Sequence, residues 1–126
     1  MSNYTGVATD SPTFATQKVT GLQYESTQDN LTAHAGGGQT LATPITAMNA
    51  RFTTVATIAD SGLLPQSAAG LIIYVTNAAA NSMNVFPYSG DAINALGANT
   101  AFAVAGGKTC AFVCYTAGQW HSLLSA

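Results

Sequence analysis

Charge is what this sequence has least of. Asp, Glu, Lys and Arg together make up 6% of its 126 residues, against about 25% in an ordinary soluble domain. Surface charge keeps copies of a protein apart. Here Thr, Ser, Asn, Gln and Ala stand in its place. Hydroxyls and amides are readily wetted, yet burying one costs far less than burying an ion. Such a surface suits contact with other copies or with a large partner, not the steering of a charged substrate. The cations Lys18, Arg51 and Lys108 are widely separated in sequence. Nucleic-acid binding needs clustered Lys and Arg to replace phosphate counterions, so no nucleic-acid partner is expected.

Long apolar runs are missing as well. The longest strongly apolar stretch, Leu71 to Val75, is far shorter than the roughly 20 residues that span a bilayer, so no membrane partner is expected. Met1 to Asp10 carries neither the basic patch nor the apolar stretch of a secretory signal. Synthesis in the cytoplasm is therefore expected, with any role outside a cell reached inside a particle.

Cysteine is scarce. Cys110 and Cys114, four apart on a strand, would face the same way about 13 Å from each other. That is too far to bond without a sharp bend, so they read as two buried free thiols. With His34 and His121 they form the one candidate metal cluster, but no Cys-x-x-Cys is present, and neither metal nor cofactor is expected. Gly36-Gly37-Gly38 lacks the Lys-Ser/Thr of a phosphate loop and reads as a flexible turn. There is no Gly-x-Ser-x-Gly elbow, and the five acids are isolated from one another. No catalytic residue is assigned, and the chain is not read as an enzyme.

What the sequence does have is the material of one domain. Hydrophobic residues make up 48%, enough for a core, although much of that is Ala and the core should be thin. Residues 1–30 are polar, with sparse Val7, Phe14, Val19, Leu22 and Tyr24, and hold Asp10, Glu25 and Asp29. They read as an extended N-terminal arm that orders on a neighbour; one short strand near Gln17 to Tyr24 is the alternative.

Residues 31–126 read as an all-β domain. The expected fold is a single β-sandwich or jelly-roll-like barrel of about eight short antiparallel strands. Turn signals recur at Gly36-Gly-Gly38, Asp60-Ser-Gly62, Asn77 to Asn81, Ser89-Gly-Asp91, Gly97-Ala-Asn99, Gly106-Gly-Lys108 and Ala117-Gly-Gln119. Strands are expected over Arg51–Ile58, with Phe52, Thr54, Ala56 and Ile58 on one face, and over Leu71–Thr76, a central strand apolar on both faces. Others are expected over Met83–Tyr88 and Gln119–Leu124, and a hairpin joins 101–105 to 109–116. Leu41 to Asn49 could be a short helix, a strand or a loop. No solenoid-length repeat is evident. Trp120, the single tryptophan, and Phe112 read as core or interface residues. His121 reads as a wetted strand residue.

Several stretches carry a resemblance. They are Leu31-Thr-Ala-His-Ala-Gly-Gly-Gly-Gln39, Asp60-Ser-Gly-Leu-Leu-Pro65, Val75-Thr-Asn77, Asn84-Val-Phe-Pro-Tyr-Ser-Gly-Asp-Ala-Ile-Asn94 and Ala117-Gly-Gln-Trp-His121. Together they resemble the small β-rich virion structural proteins of tailed phages, of the head decoration, or cement, type. The resemblance spans roughly residues 31 to 124 and leaves the arm uncovered. It implies a non-enzymatic protein on the outer capsid surface of the virion. There it would bind the major capsid protein as a homo-oligomer, with a trimer favoured, and stabilise joints between capsid subunits. The alternative it implies is a head-fibre or tail-fibre module that binds a receptor. Tyr4, Phe14 and Tyr24 in the arm, with Trp120 in the domain, are the candidate capsid or oligomer contacts.

Overall fold

The computed structural model describes residues 15–126, which form ten β-strands and no helix. Six strands make one sheet: β1 (Thr27–Thr32), β3 (Asn49–Thr54), β5 (Ile72–Asn77), β9 (Thr109–Thr116), β10 (Gln119–Leu124) and β7 (Ala92–Ile93), in the order β1-β3-β5-β9-β10-β7. The second sheet is β2 (Thr43–Pro44), β4 (Ser61–Leu63), β6 (Met83–Phe86) and β8 (Phe102–Val104), in the order β2-β4-β6-β8. The all-β expectation holds, and Leu41 to Asn49 contributes strand and loop rather than helix.

The expected antiparallel pairing does not hold throughout. From β1 to β6 the chain passes back and forth between the sheets. β1, β3 and β5 therefore stack in parallel in one sheet, and β2, β4 and β6 in the other. Parallel neighbours need a crossover, and the opposite sheet supplies it. β1, β3 and β5 begin at residues 27, 49 and 72, so each turn takes about 22 residues, within the range of repeat architectures. The path is solenoid-like, where no repeat of solenoid length was expected. β8, β9 and β10 then close the other end with antiparallel ladders.

The hairpin expected across Gly106-Gly107 is absent for the same reason. β8 pairs with β6 in one sheet and β9 with β5 in the other, so this turn crosses between sheets. The hairpin is instead β9–β10, turning at Ala117-Gly118.

Alternation of side chains fills the space between the sheets. Ile73 and Val75 of β5, Cys110, Phe112 and Cys114 of β9, Phe52 of β3, and Met83 and Val85 of β6 all point inward and are buried. Phe112 meets Phe102 edge to face, with ring centroids 5.8 Å apart. Gly62 faces inward where a side chain would strike the Phe52 ring at 2.8 Å. Of Phe52, Thr54, Ala56 and Ile58, expected on one face, only Phe52 is buried: Thr54 ends β3 exposed, and Ile58, past that end, is 69% exposed.

The turns between sheets explain the wealth of amides. Buried Asn77 donates to the carbonyls of Asn81 and Val104 and accepts from the Ala79 N–H. Asn81 donates to Val55 and Ala56. Asn94, at φ 53°, donates to the Ser122 hydroxyl and accepts from the Ser122 N–H. The buried Asp60 carboxylate accepts from the N–H groups of Gly36 and Thr57. The triple-glycine segment is thus fastened at its first residue, and the Ser61 hydroxyl donates to the Gly38 carbonyl at its last. Buried backbone groups require such partners, and uncharged side chains supply most of them here.

Candidate functional site

The outward side of the six-stranded sheet is the feature most suited to a partner. In β5 the residues alternate with the buried ones, so Ile72, Tyr74 and Thr76 face outward; in β9 Ala111, Val113 and Tyr115 do so, and in β10 His121 and Leu123. Register lines them up across the strands. One row runs Thr27, Asn49, Tyr74, Ala111, Leu123, and a second runs Ile72, Val113, His121. Tyr115 sits beside His121, with ring centroids 5.8 Å apart and planes tilted by 60°. Tyr115 and Leu123 are 74% and 73% exposed, large values for apolar side chains on a regular sheet.

At the β1 side the face turns polar. Arg51 donates from Nε to Asp29 Oδ1 at 2.6 Å and from its terminal nitrogen to Oδ2 at 2.9 Å. This fork-to-fork geometry holds the Asp29 carboxyl below its usual range, chiefly through the hydrogen bond from Arg51 and then through the Asn30 N–H. Arg51 is correspondingly pushed up by Asp29. The pair cancels its own charge, so the face as a whole presents little net field. Between this pair and the Tyr74 ring lies a shallow hollow of about 180 Å³, lined also by Thr27, Asn49 and Thr76. Thr76 and Thr109 share a hydroxyl hydrogen bond of 2.8 Å along its rim.

β1 is an edge strand, and an exposed edge invites strand addition. Here it is blunted. Its register with β3 shifts between Gln28 and Leu31, where Asn30 adopts φ 54°. Such a bulge breaks the ladder a new strand would need. The Gln28 side chain also occupies the neighbouring edge, donating to the Pro44 carbonyl and accepting from the Thr46 N–H. The face, not the edge, is left open.

The residues singled out in the sequence fall in different places. Tyr4 and Phe14 lie outside the described residues. Tyr24 is 89% exposed in a segment without strand or helix, in which every residue from Ala15 to Ser26 is exposed. The first strand starts at Thr27, within residues 1–30 but after Gln17 to Tyr24. Trp120 and Phe112 occupy the core at 0% exposure, so neither offers surface to a neighbour. The indole Nε1 of Trp120 has no hydrogen-bond partner among the described residues. Cys110 and Cys114 are free, buried and inward-facing, and burial pushes the Cys110 thiol up to about 11. His121 faces outward from the same sheet, and His34 bridges by its backbone to Ser61. The four are not brought together, and no cluster able to hold a metal occurs among the described residues.

Sequence reasoning missed Tyr74, Tyr115 and Leu123 as outward-facing neighbours. The strict alternation of β9, Thr109 to Thr116, was the available signal. No protein family matches this chain, and no curated protein or solved structure matches it.

Proposed function

We propose that this chain is a non-enzymatic structural protein of a tailed-phage particle. It binds the outer head surface as a homo-oligomer, a trimer being favoured, and stabilises contacts between major capsid proteins. The arm reaches a neighbouring molecule, and the β-domain supplies the rigid body. In finer detail the domain serves as a two-layer sandwich whose one side rests against a partner. The observation that carries this reading is the outward face of the six-stranded sheet, where Ile72, Tyr74, Val113, Tyr115 and Leu123 lie together with one self-cancelling ion pair. Exposed apolar patches of this kind mark interaction surfaces. Low overall charge and the resemblance over residues 31–124 point the same way.

A head-fibre or tail-fibre module is the second reading. It draws on the hollow beside Tyr74, where an aromatic ring adjoins Asn49, Thr27 and Thr76, a combination able to hold a surface glycan. Copy number in purified virions, measured against the major capsid protein, separates the two. Hundreds of copies fit a lattice-bound decoration protein, whereas about three to a few dozen fit a fibre at a vertex or tail. Absence from the particle overturns both.

A further inference from the structure

We propose that the outward face of the six-stranded sheet is covered by the arm segment, residues 15–25, of a second copy of this chain. The inference deepens the self-association in the reading above, but it needs no capsid.

Both halves of the contact are uncovered among the described residues of one chain. On the arm, Leu22 is 85% and Tyr24 89% exposed. Two residues apart, they project to the same side once the segment lies extended on the sheet. On the sheet, the row from Tyr74 through Ala111 to Leu123 is flanked by Ile72, Val113 and Tyr115. Among the described residues each set of apolar side chains lacks a partner of its own kind, and a second copy provides it.

Size argues for the arm as the occupant. From β1 to β10 the face spans four strand spacings, about 19 Å at the usual separation, and its apolar part extends over about 15 Å along the strands. A flat patch of roughly 300 Å² falls well short of the about 800 Å² per partner of a stable interface. Laying an extended arm across the patch adds the arm's own surface and its backbone polar groups to the contact. The blunted β1 edge disfavours strand addition on the side of the sheet nearest the arm.

Charge is compatible. The arm segment carries Lys18 and Glu25, and the polar end of the face carries Asp29 and Arg51. Each surface holds one charge of either sign, so neither repels the other. Hydroxyl and amide groups of Thr27, Asn49 and Thr76 around the hollow can satisfy the peptide groups of the arm.

The test uses the full chain in two parts. Tyr24→Cys and Leu123→Cys are made in separate chains, the native Cys110 and Cys114 being buried. The two are mixed and oxidised, with Tyr24→Cys plus Ile58→Cys as control. A disulfide joining the first pair but not the control is expected. If neither mixture cross-links, or if the control cross-links as readily as the first pair, the proposal fails. In the second part, sedimentation of the unmodified chain should show self-association. Tyr74→Glu and Leu123→Glu should weaken it at least about tenfold with the melting temperature unchanged. A monomeric parent, or association unaffected by both variants, also overturns the proposal. Copy number in virions is read separately, so association in solution with absence from particles would sink the phage role and leave this contact standing.

Discussion

Asn77 shows why amides matter more than charge in this chain. It is buried, and its side chain makes three hydrogen bonds to backbone groups, two donated and one accepted. Asn77→Asp keeps the shape but turns the donating nitrogen into an acceptor facing the carbonyls of Asn81 and Val104. Each buried group left unsatisfied costs about 1–3 kcal/mol, so a fall in unfolding free energy of several kcal/mol is expected, measured by urea denaturation. An equal midpoint for Asn77→Asp and the parent would refute the assignment. Trp120 is the opposite case. Its ring fills the core, yet its N–H finds no partner among the described residues. Trp120→Phe removes that burden along with some volume and should cost under about 1.5 kcal/mol, whereas Trp120→Ala should cost about 3–5 kcal/mol. Similar losses for the two would mean that the indole nitrogen has a partner in solution.

Turns and edges set the behaviour of the elements. A Cβ on Gly106 would lie 2.2 Å from the Ala80 carbonyl oxygen, backbone that cannot step aside. Gly106→Ala should therefore distort the crossing from β8 to β9 and lower thermal stability sharply. Nothing lies within 4 Å of the same position on Gly70, where the only obstacle is φ +92°, so Gly70→Ala should be the milder change. Calorimetry of the two variants ranks them, and the reverse order would contradict the close approach. The β1 edge has its own sensitivity. The Asp29 pKa is lowered by Arg51 from an ordinary value of 3.8. The pair's contribution is therefore fully present above about pH 3.8 and is lost as pH falls through the lower folded value. Both partners are exposed, so the effect should be local: β1 amides lose hydrogen-exchange protection in acid while those of β5 and β9 keep theirs. Arg51→Gln should remove this acid step.

The elements also show what the sequence disclosed. The all-β class was legible, and so were the two buried cysteines four apart on β9, whereas β5 reads in sequence as apolar on both faces although its outward residues alternate with buried ones. Strand partners were not legible. Pairing depends on which sheet each turn leads into, and Gly106-Gly107 serves a crossing as well as it would a hairpin. The winding leaves a faint trace in the sequence. Pro44, Pro65 and Pro87 stand at or just beyond the ends of β2, β4 and β6, about 21 or 22 residues apart, a spacing proper to repeats. Proline belongs at strand ends because it cannot donate to the ladder, so its spacing marks the turns even where the strand residues differ. The outward face stayed hidden because a half-buried Tyr or Val reads in sequence like a core residue.

At the scale of the whole molecule, the scarcity of charge becomes a prediction about how the protein holds on. An interface built from ion pairs weakens as salt shortens the screening length from about 10 Å at 0.1 M to about 3 Å at 1 M. The outward face offers Ile72, Tyr74, Val113, Tyr115 and Leu123, and its one ion pair is satisfied within the chain. Burial of apolar and hydroxyl groups is not screened; sulfate, being excluded from protein surfaces, strengthens it. Self-association, and retention on purified heads if the proposed role holds, should thus persist from 0.1 M to 1 M sodium chloride at about the same strength and increase in ammonium sulfate. Sedimentation across the salt series reads the first, and centrifugation of washed particles the second. Dissociation that steepens with sodium chloride would mean that Lys18, Arg51 or Lys108 holds the partner, and the outward face would lose its claim to be the contact.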